Sequence, residues 1–291
     1  MKSPESNTSQ VVARALAEDI GSGDITVRYF TDPAARAGAV IATREPCTLA
    51  GMETAREVFH QVDSQICFEA AARDGDQLAP GSIAARLEGR LASLLTAERV
   101  ALNFLQHLSG VATLTRRFVD QISGTSAKIL DTRKTTPGLR ALEKRAVLAG
   151  GGTNHRMGLH DMAMVKDNHL AGSSGIASLQ AGIDRLKADN PGMRIEVEVD
   201  SLSQLEEVFS LRGVDVVLLD NMSVADLQKA SAMRPVGILL EASGGVSLET
   251  VRAIALSGVD LISIGALTHS APAVDLGLDL LQNPGSPPRW A

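Results

Sequence analysis

The chain has 291 residues, and its 28 Lys and Arg against 34 Asp and Glu give a net charge of −6. An acidic chain with 3% aromatic residues is a poor candidate for nucleic-acid binding, which needs cations for phosphates and rings for stacking. No apolar run approaches the roughly 18 residues of a membrane span, the start is polar, and two cysteines cannot form a disulfide framework. These features favour a cytoplasmic α/β protein that acts on neither membranes nor nucleic acids.

The first third of the chain mixes helical and strand-like patterns without a regular repeat. Helical patterns cover 11–20 and 51–62, and strand-like segments cover 37–45 and 82–90. This layout predicts a separate N-terminal domain, 1–110, of α+β type. The tail, 271–291, is either loose or packed back on that domain.

A longer stretch, 94–122, has the periodicity of a helix and should connect this domain to the next. It contains the tripeptide Leu-Ser-Gly at 108–110, which marks a possible break.

The remainder, 111–270, alternates short aliphatic runs with helical patterns. The runs are 127–131, 162–166, 194–199, 214–220, 236–241 and 259–265, and the helical patterns are 138–150, 178–189, 201–211, 223–233 and 247–257. Such alternation predicts right-handed βαβ units and a parallel sheet. No GxGxxG follows the first run, so an α/β barrel, closed or nearly closed, is favoured over a dinucleotide-binding sheet.

Most of the six runs end in a charged residue. The end residues are Asp131, Lys166, Glu198, Asp220, Glu241 and Gly265. One such residue merely marks the solvent boundary of a strand, but in α/β barrels the carboxyl ends of the strands carry the active site. The series therefore predicts a polar-ligand site.

The segment 131–169 is basic within an acidic chain. It holds seven Lys and Arg and four Asp and Glu, a net charge of +3. Arg133, Lys134, His155, Arg156 and Lys166 flank the glycine-rich GGGTNHR of 150–156. A solvated basic face is the alternative, but it would not need three glycines, so we favour a site for carboxylate or phosphate.

Two carboxylates and two small-residue loops complete the pattern. Glu198 and Asp220 follow consecutive strands and suit Mg²⁺ held with substrate phosphates, or sugar hydroxyls, unless Glu198 only pairs with a nearby lysine. Segments 243–245 and 264–270 resemble anion-binding turns at late barrel strands. Together these features predict an enzyme that handles a phosphosugar.

Several motifs carry a more specific resemblance. At DTRKTTPGLRALEKRAV (131–147), GGGTNHRMGLHDMAMVKDNH (150–169) and EASGG (241–245), the sequence resembles the quinolinate phosphoribosyltransferase family. The likeness extends to 18–26, 98–113, EVEVD, LLDN and GALTHS, so it covers nearly the whole chain. It implies an incomplete, seven-stranded α/β barrel with an N-terminal α/β sandwich domain, in a homodimer or larger assembly.

The resemblance also implies an activity: transfer of phosphoribosyl from phosphoribosyl pyrophosphate to quinolinate, with loss of CO₂ and pyrophosphate, in NAD biosynthesis. Such a pentosyltransferase requires Mg²⁺, which Glu198 and Asp220 would hold directly, through water or through the substrate. Catalysis is assigned to Lys134, Glu198 and Asp220. The substrate-binding set would be Arg99 reaching the neighbouring subunit, then Thr132, Arg133, Lys134, His155, Arg156, Lys166, Glu198, Asp220, Ser243, Gly244, Gly245, Gly265, Ala266 and His269.

Two alternatives remain at this stage. Relatives associated with molybdenum transport share TRKT and the glycines but lose KDNH, so Lys166, Asn168 and His169 favour the NAD enzyme, although the segment LAGGG leans toward those relatives. The other alternative is a catalytically silent barrel that binds phosphometabolites. It would be expected to lack Lys134, Glu198 or Asp220, and all three are present.

Overall fold

The computed structural model describes residues 4–166 and 175–281, with side chains from residue 8 onward. Asn168 and His169 and the tail from 282 lie outside these residues. The helices are α1 (Pro4–Ile20), α2 (Ile25–Phe30), α3 (Met52–Val62), α4 (Leu91–Gln121), α5 (Arg140–Ala149), α6 (Ile176–Asp189), α7 (Leu202–Phe209), α8 (Val224–Met233), α9 (Val251–Leu256) and α10 (Ala266–His269). The strands are β1 (Arg36–Thr43), β2 (Cys47–Thr48), β3 (Cys67–Ala70), β4 (Gln77–Leu78), β5 (Ile83–Arg90), β6 (Lys128–Leu130), β7 (Ala163–Val165), β8 (Ile195–Val199), β9 (Val216–Asp220), β10 (Leu239–Ser243), β11 (Leu261–Ser263) and β12 (Leu276–Leu280).

The described residues form two compact units. The first contains the chain up to Arg116, then Thr135–Gly151 and the part from Leu267 onward. The second contains Arg117–Lys134 and the described part of Gly152–Ala266. Among the described helices, none is both long enough and apolar enough to cross a membrane.

The first unit is built on an antiparallel sheet in the order β12-β1-β5-β3. Its central strand β1 has five consecutive buried residues at its carboxyl end, because β5 and β12 cover both of its edges. Strand β12 comes from the predicted tail and pairs with β1 from Ala39↔Leu280 to Thr43↔Leu276. Helix α3 adds Val58 and Phe59 to the core of this unit.

The second unit contains the parallel sheet that the repeat predicts. Its order is β6-β11-β10-β9-β8-β7, and helices lie between successive strands in the chain. The described residues supply six strands, and beside β6 a single parallel bridge joins Leu130 to Thr153. The mixed α/β class with a parallel and an antiparallel sheet is therefore confirmed.

Two local expectations were wrong. Helix α4 runs unbroken through 108–110, because Ser109 hydrogen-bonds to the backbone of Ala50 and Gly110 lets the chain at Pro272 approach closely. A Cβ on Gly110 would lie 2.1 Å from the Pro272 carbonyl oxygen, so this glycine serves packing. Strand β10 continues to Ser243, and Glu241 lies inside the sheet with 1% of its surface exposed instead of at the rim.

Candidate active site

A pocket of about 660 Å³ lies in the second unit, at the carboxyl ends of the parallel strands. Its walls combine four cations, four carboxylate or amide side chains and a run of small residues. They are Thr132, Arg133, Lys134, His155, Arg156, Met164, Lys166, Glu198, Leu218, Asp220, Asn221, Glu241, Ser243, Gly244, Gly245 and Ser263. The site residues predicted from the sequence between Thr132 and Gly245 are thus brought to one cavity.

The cations come from the loop after β6, the glycine-rich loop and the end of β7. In the first loop the Lys134 backbone N–H donates to Thr132 Oγ1 at 3.0 Å, which turns the chain sharply. Burial lowers the pKa of the Arg156 guanidinium, and the positive charge of Arg133 lowers it further. An anion between these two guanidiniums would relieve their mutual repulsion, so the wall is suited to a carboxylate or phosphate.

The acidic side of the pocket contains two carboxylates with different partners. Lys166 Nζ forms an ion pair with Glu198, which is the pairing that the sequence left open as an alternative role for Glu198. Asp220 Oδ2 accepts a hydrogen bond from Asn221 Nδ2 at 2.9 Å. Asp220 is only partly buried, so its carboxylate remains available to a ligand in the pocket.

The turn after β9 is held in an uncommon conformation. Asn221 has a φ of 54°, a left-handed value rare outside glycine, and such residues often occur at functional sites. Its backbone N–H donates to the Ser243 carbonyl at 2.8 Å. Gly244 permits this contact, because a Cβ there would lie 2.1 Å from Asn221 Oδ1. The turn thereby fixes Asp220 beside the small-residue segment 243–245.

Beneath the rim, His155 contacts two carboxylates in the interior of the sheet. Its Nε2 lies 3.1 Å from Glu196 Oε2 and 3.5 Å from Glu241 Oε2, and the Glu side chains are 0% and 1% exposed. Burial lowers the pKa of His155, but its contacts with Glu196 and Glu241 outweigh this and raise the pKa to about 9. Burial raises the pKa of Glu196, and the neighbouring Glu241 raises it further.

The tautomer of His155 follows from its other nitrogen. The Arg156 backbone N–H donates to Nδ1 at 2.8 Å, so Nδ1 carries the lone pair and the ring proton is on Nε2. A pKa of about 9 alone would place protons on both nitrogens at neutral pH, but the Arg156 N–H leaves no space for one on Nδ1. The extra proton therefore belongs to the carboxyl pair, in which the pKa of Glu196 is raised.

Among the described residues, His155, Glu196 and Glu241 are also the group of three whose ligand atoms lie close enough for a metal ion, within 4.8 Å. A metal would need the lone pair of Nε2, and this nitrogen carries the proton. The chemistry of the donor set therefore disfavours a metal in this cluster.

Four predicted site residues lie outside the lining of the pocket. Gly265 and Ala266 follow β11, and His269 is exposed at the end of α10, where its Nδ1 lies 2.6 Å from Ser270 Oγ. Arg99 is exposed on α4, in the first unit.

Sequence reasoning missed Glu196 and gave Asn221 no role. Glu196 and Glu198 are two residues apart in β8, so their side chains share one face of the sheet. That alternation was visible in EVEVD and could have placed Glu196 in the interior below Glu198. The left-handed backbone at Asn221 left no comparable signal, because it depends on the contact with Gly244.

Comparisons with known proteins identify the family. Residues 24–109 match the N-terminal domain model of quinolinate phosphoribosyl transferase, and residues 111–279 match its C-terminal domain model. The nicotinate-nucleotide pyrophosphorylase (carboxylating) of Mycobacterium leprae is 43% identical over 275 residues, covering 92% of this chain and 95% of that protein. A probable enzyme of the same name from Bacillus subtilis is 41% identical, covering 90% of each chain.

Solved structures agree. The nicotinate-nucleotide pyrophosphorylase of Francisella tularensis superimposes with a TM-score of 0.89 at 38% identity, covering 96% of this chain and 98% of that one. Matches of this extent, which take in both sheets and the pocket, leave no large part of the described fold unexplained. The chain belongs to the quinolinate phosphoribosyltransferase family.

Proposed function

We propose that the chain transfers phosphoribosyl from phosphoribosyl pyrophosphate to the ring nitrogen of quinolinate, releasing pyrophosphate and CO₂ and forming nicotinate mononucleotide for NAD biosynthesis. The observation that carries this proposal is the composition of one pocket. Guanidiniums suited to carboxylates lie in the same cavity as carboxylates suited to a sugar and small residues suited to a phosphate. The two free cysteines, Cys47 and Cys67, are compatible with a reducing compartment, and we assign the reaction to the cytoplasm.

Quinolinate is a dicarboxylate, and its recognition falls to the cationic wall. Arg133 and Arg156 provide planar donors that match carboxylate geometry, and Lys166 provides a movable charge. Because Lys166 is paired with Glu198, binding of the acceptor would exchange one carboxylate partner for another without leaving the ammonium unpaired.

The sugar donor would occupy the opposite side. Lys134 is placed to contact its pyrophosphate, Asp220 and Glu198 its ribose hydroxyls, and the segment 243–245 its 5′-phosphate through backbone N–H groups. Gly265, Ala266 and His269 would complete the phosphate site from the loop after β11.

Mg²⁺ fits this donor set, because Mg²⁺ is usually held by one or two carboxylates together with substrate phosphates. Asp220 would hold it, directly or through water, since its carboxylate lines the cavity and is only partly buried. Glu198 would join only after Lys166 is drawn away by the acceptor. When bound, the ion would offset the negative charge that develops on the departing pyrophosphate.

The residues would act mainly through position and charge. Cleavage of the bond between C1′ and pyrophosphate builds positive charge on the ribose, which Asp220 and Glu198 would stabilise, and negative charge on the leaving group, which Lys134 would stabilise. No side chain needs to form a covalent bond. After transfer the cationic ring nitrogen accepts the electrons released when the adjacent carboxylate leaves as CO₂.

We also propose that the protein is a homodimer or larger assembly in which Arg99 enters the pocket of the neighbouring subunit. Helix α2 supports this, since Ile25, Tyr29 and Phe30 are 70%, 70% and 85% exposed. Asp24, which caps α2, accepts a hydrogen bond from Thr96, one turn before Arg99 on α4. An apolar surface beside an exposed arginine is typical of a subunit interface.

The activity is tested by measuring CO₂ release and nicotinate mononucleotide formation from quinolinate, phosphoribosyl pyrophosphate and Mg²⁺. We expect product with quinolinate and none when nicotinate replaces it. Product from nicotinate alone, or no product while the donor still binds, would assign the chain to a relative with another acceptor.

The shared site is tested by mixing Arg99→Ala with Lys166→Ala subunits after reversible dissociation. Each variant alone should be inactive. A dimer of one subunit of each kind has one intact pocket if Arg99 serves the neighbour, so random mixing should restore about a quarter of the wild-type activity. No restoration, with hybrids demonstrated by mass, would mean that Arg99 serves its own subunit or no site.

A further inference from the structure

Two buried acidic residues, Glu196 and Glu241, have no role in the function proposed above. Glu196 lies opposite Met164 and Val216 in the sheet, and Glu241 lies opposite Leu218. Both face the interior below the rim, where an ionised carboxylate costs several kcal/mol unless it is fully paired. A fold that keeps two such groups side by side at this cost needs a reason for them.

Their pairing is incomplete by ordinary standards. Both oxygens of Glu196, and Oε1 of Glu241, have no hydrogen-bond partner among the described residues. The polar group that approaches both is the Nε2 of His155, at 3.1 Å and 3.5 Å. The two carboxylates therefore face the ring of His155.

His155 in turn holds the residue that follows it. Its Nδ1 accepts the Arg156 backbone N–H at 2.8 Å, and its own backbone N–H donates to Asp131 Oδ1 at 2.8 Å. The Asp131 side chain is also completely buried. Backbone and ring of His155 are thus each anchored by buried acids, one from the end of β6 and two from β8 and β10.

The guanidinium of Arg156 extends from this anchored point into the wall of the pocket. Nη1 donates to the Met162 carbonyl at 3.2 Å and Nη2 to Met164 Sδ at 3.4 Å. The two contacts are long and one is to a weak acceptor, so they would fix the guanidinium only if its backbone were already held.

We propose that Glu196 and Glu241 are positioning residues that hold the His155 ring at Nε2 and thereby fix the backbone of Arg156 and the direction of its guanidinium. With both ring nitrogens engaged by the protein, His155 acts on the acceptor through Arg156. The inference rests on the proposed function, in which Arg156 binds a carboxylate of quinolinate.

The test compares four variants: Glu241→Gln and Glu196→Gln, which keep an acceptor for Nε2, Glu241→Met, which removes it at similar volume, and Glu206→Gln on the exposed face of α7 as the control. For Glu241→Met we expect the KM for quinolinate to rise on the order of tenfold, the cost of losing a contact with a charged acceptor. The two Gln variants should show smaller rises. The KM for phosphoribosyl pyrophosphate should not change.

Stability separates positioning from a structural role. Removing a buried charge is often neutral or stabilising, so the Tm of the Gln variants should equal or exceed that of the wild type. A lowered Tm together with a quinolinate KM equal to that of the Glu206→Gln control would overturn the proposal. If Glu241→Met does not fold, the two Gln variants decide.

A readout without turnover keeps the two proposals distinct. Nitrogen NMR of the imidazole of His155 in the wild type should show a proton on Nε2 and none on Nδ1 at neutral pH, and Glu241→Gln should shift the Nε2 signal more than the Nδ1 signal. A protonated Nδ1 would overturn the positioning role. Absence of turnover by the wild type would instead contradict the proposed function.

Discussion

Buried carboxylates in the two units have opposite surroundings. In the first unit Asp63 accepts hydrogen bonds from Arg90 Nε at 2.8 Å, from the Gln65 backbone N–H at 3.0 Å and from Ser93 Oγ at 2.8 Å. These partners, Arg90 first, lower its pKa to about 2. In the second unit Glu196 lacks such donors, and burial raises its pKa.

The difference separates a carboxylate that stabilises the fold from carboxylates retained for another purpose. A buried acid with three donors favours its charged form and contributes to stability. A buried acid without them costs stability, and native proteins keep such groups mainly where function requires them. Four substitutions test this contrast, in addition to those at the His155 cluster.

The largest effect is expected at the rim of the second unit. Asp220→Asn should lower kcat on the order of 10²-fold, because the carboxylate would no longer stabilise the charge that develops on the ribose. Its Tm should stay near that of the wild type, since the side chain is only partly buried. The matched control is Asp200→Asn, an exposed carboxylate just after β8, which should leave both quantities unchanged. Equal kcat in the two variants would contradict the role of Asp220.

In the first unit, Gly110→Ala should destabilise the protein by about 3 kcal/mol, the upper range for overpacking, because its Cβ would meet the Pro272 carbonyl at 2.1 Å. Urea denaturation gives the change. A loss below about 0.5 kcal/mol would mean that the segment at 272 can move away at little cost.

Asp63→Asn should remove about 2 kcal/mol at pH 7, from the difference between a folded pKa of about 2 and an unfolded value near 3.9. Since the folded pKa is the lower one, this stabilisation is complete above about pH 5 and is lost as the pH falls through about 4 toward 2. The difference in urea midpoint between wild type and variant should therefore narrow over that range. Specific activity at pH 7 should stay unchanged, and a difference independent of pH would exclude the charge as its cause.

The smallest effect is expected for Gly182→Ala in α6. This glycine lies within the helix, and no atom lies within 4 Å of the place that a Cβ would occupy. The alanine should therefore stabilise the protein by about 0.5–1 kcal/mol through its higher helix propensity, measured by urea denaturation. Comparison with Gly110→Ala applies one substitution to two helices with opposite signs. A loss of stability at Gly182 would show that this helix face is packed against something.

The sequence by itself determined the alternation of strands and helices, the parallel sheet and most of the pocket. These features depend on local periodicity and on the rule that strand ends converge at one edge, so Arg133, Lys134, Asp220 and Ser243 could be predicted together. The family motifs added roles for them.

Only the tertiary structure decided how long the elements are and which acids are buried. Helix α4 passes through Ser109 and Gly110, and β10 runs past Glu241, because contacts with distant segments of the chain override the local signals at those points. The cluster of His155, Glu196 and Glu241 joins three segments far apart in sequence, each within a motif that local reading assigns to a strand or a loop. Hydrogen-bond partners and burial arise only when those segments meet, and they determine the charge and the role of each acid.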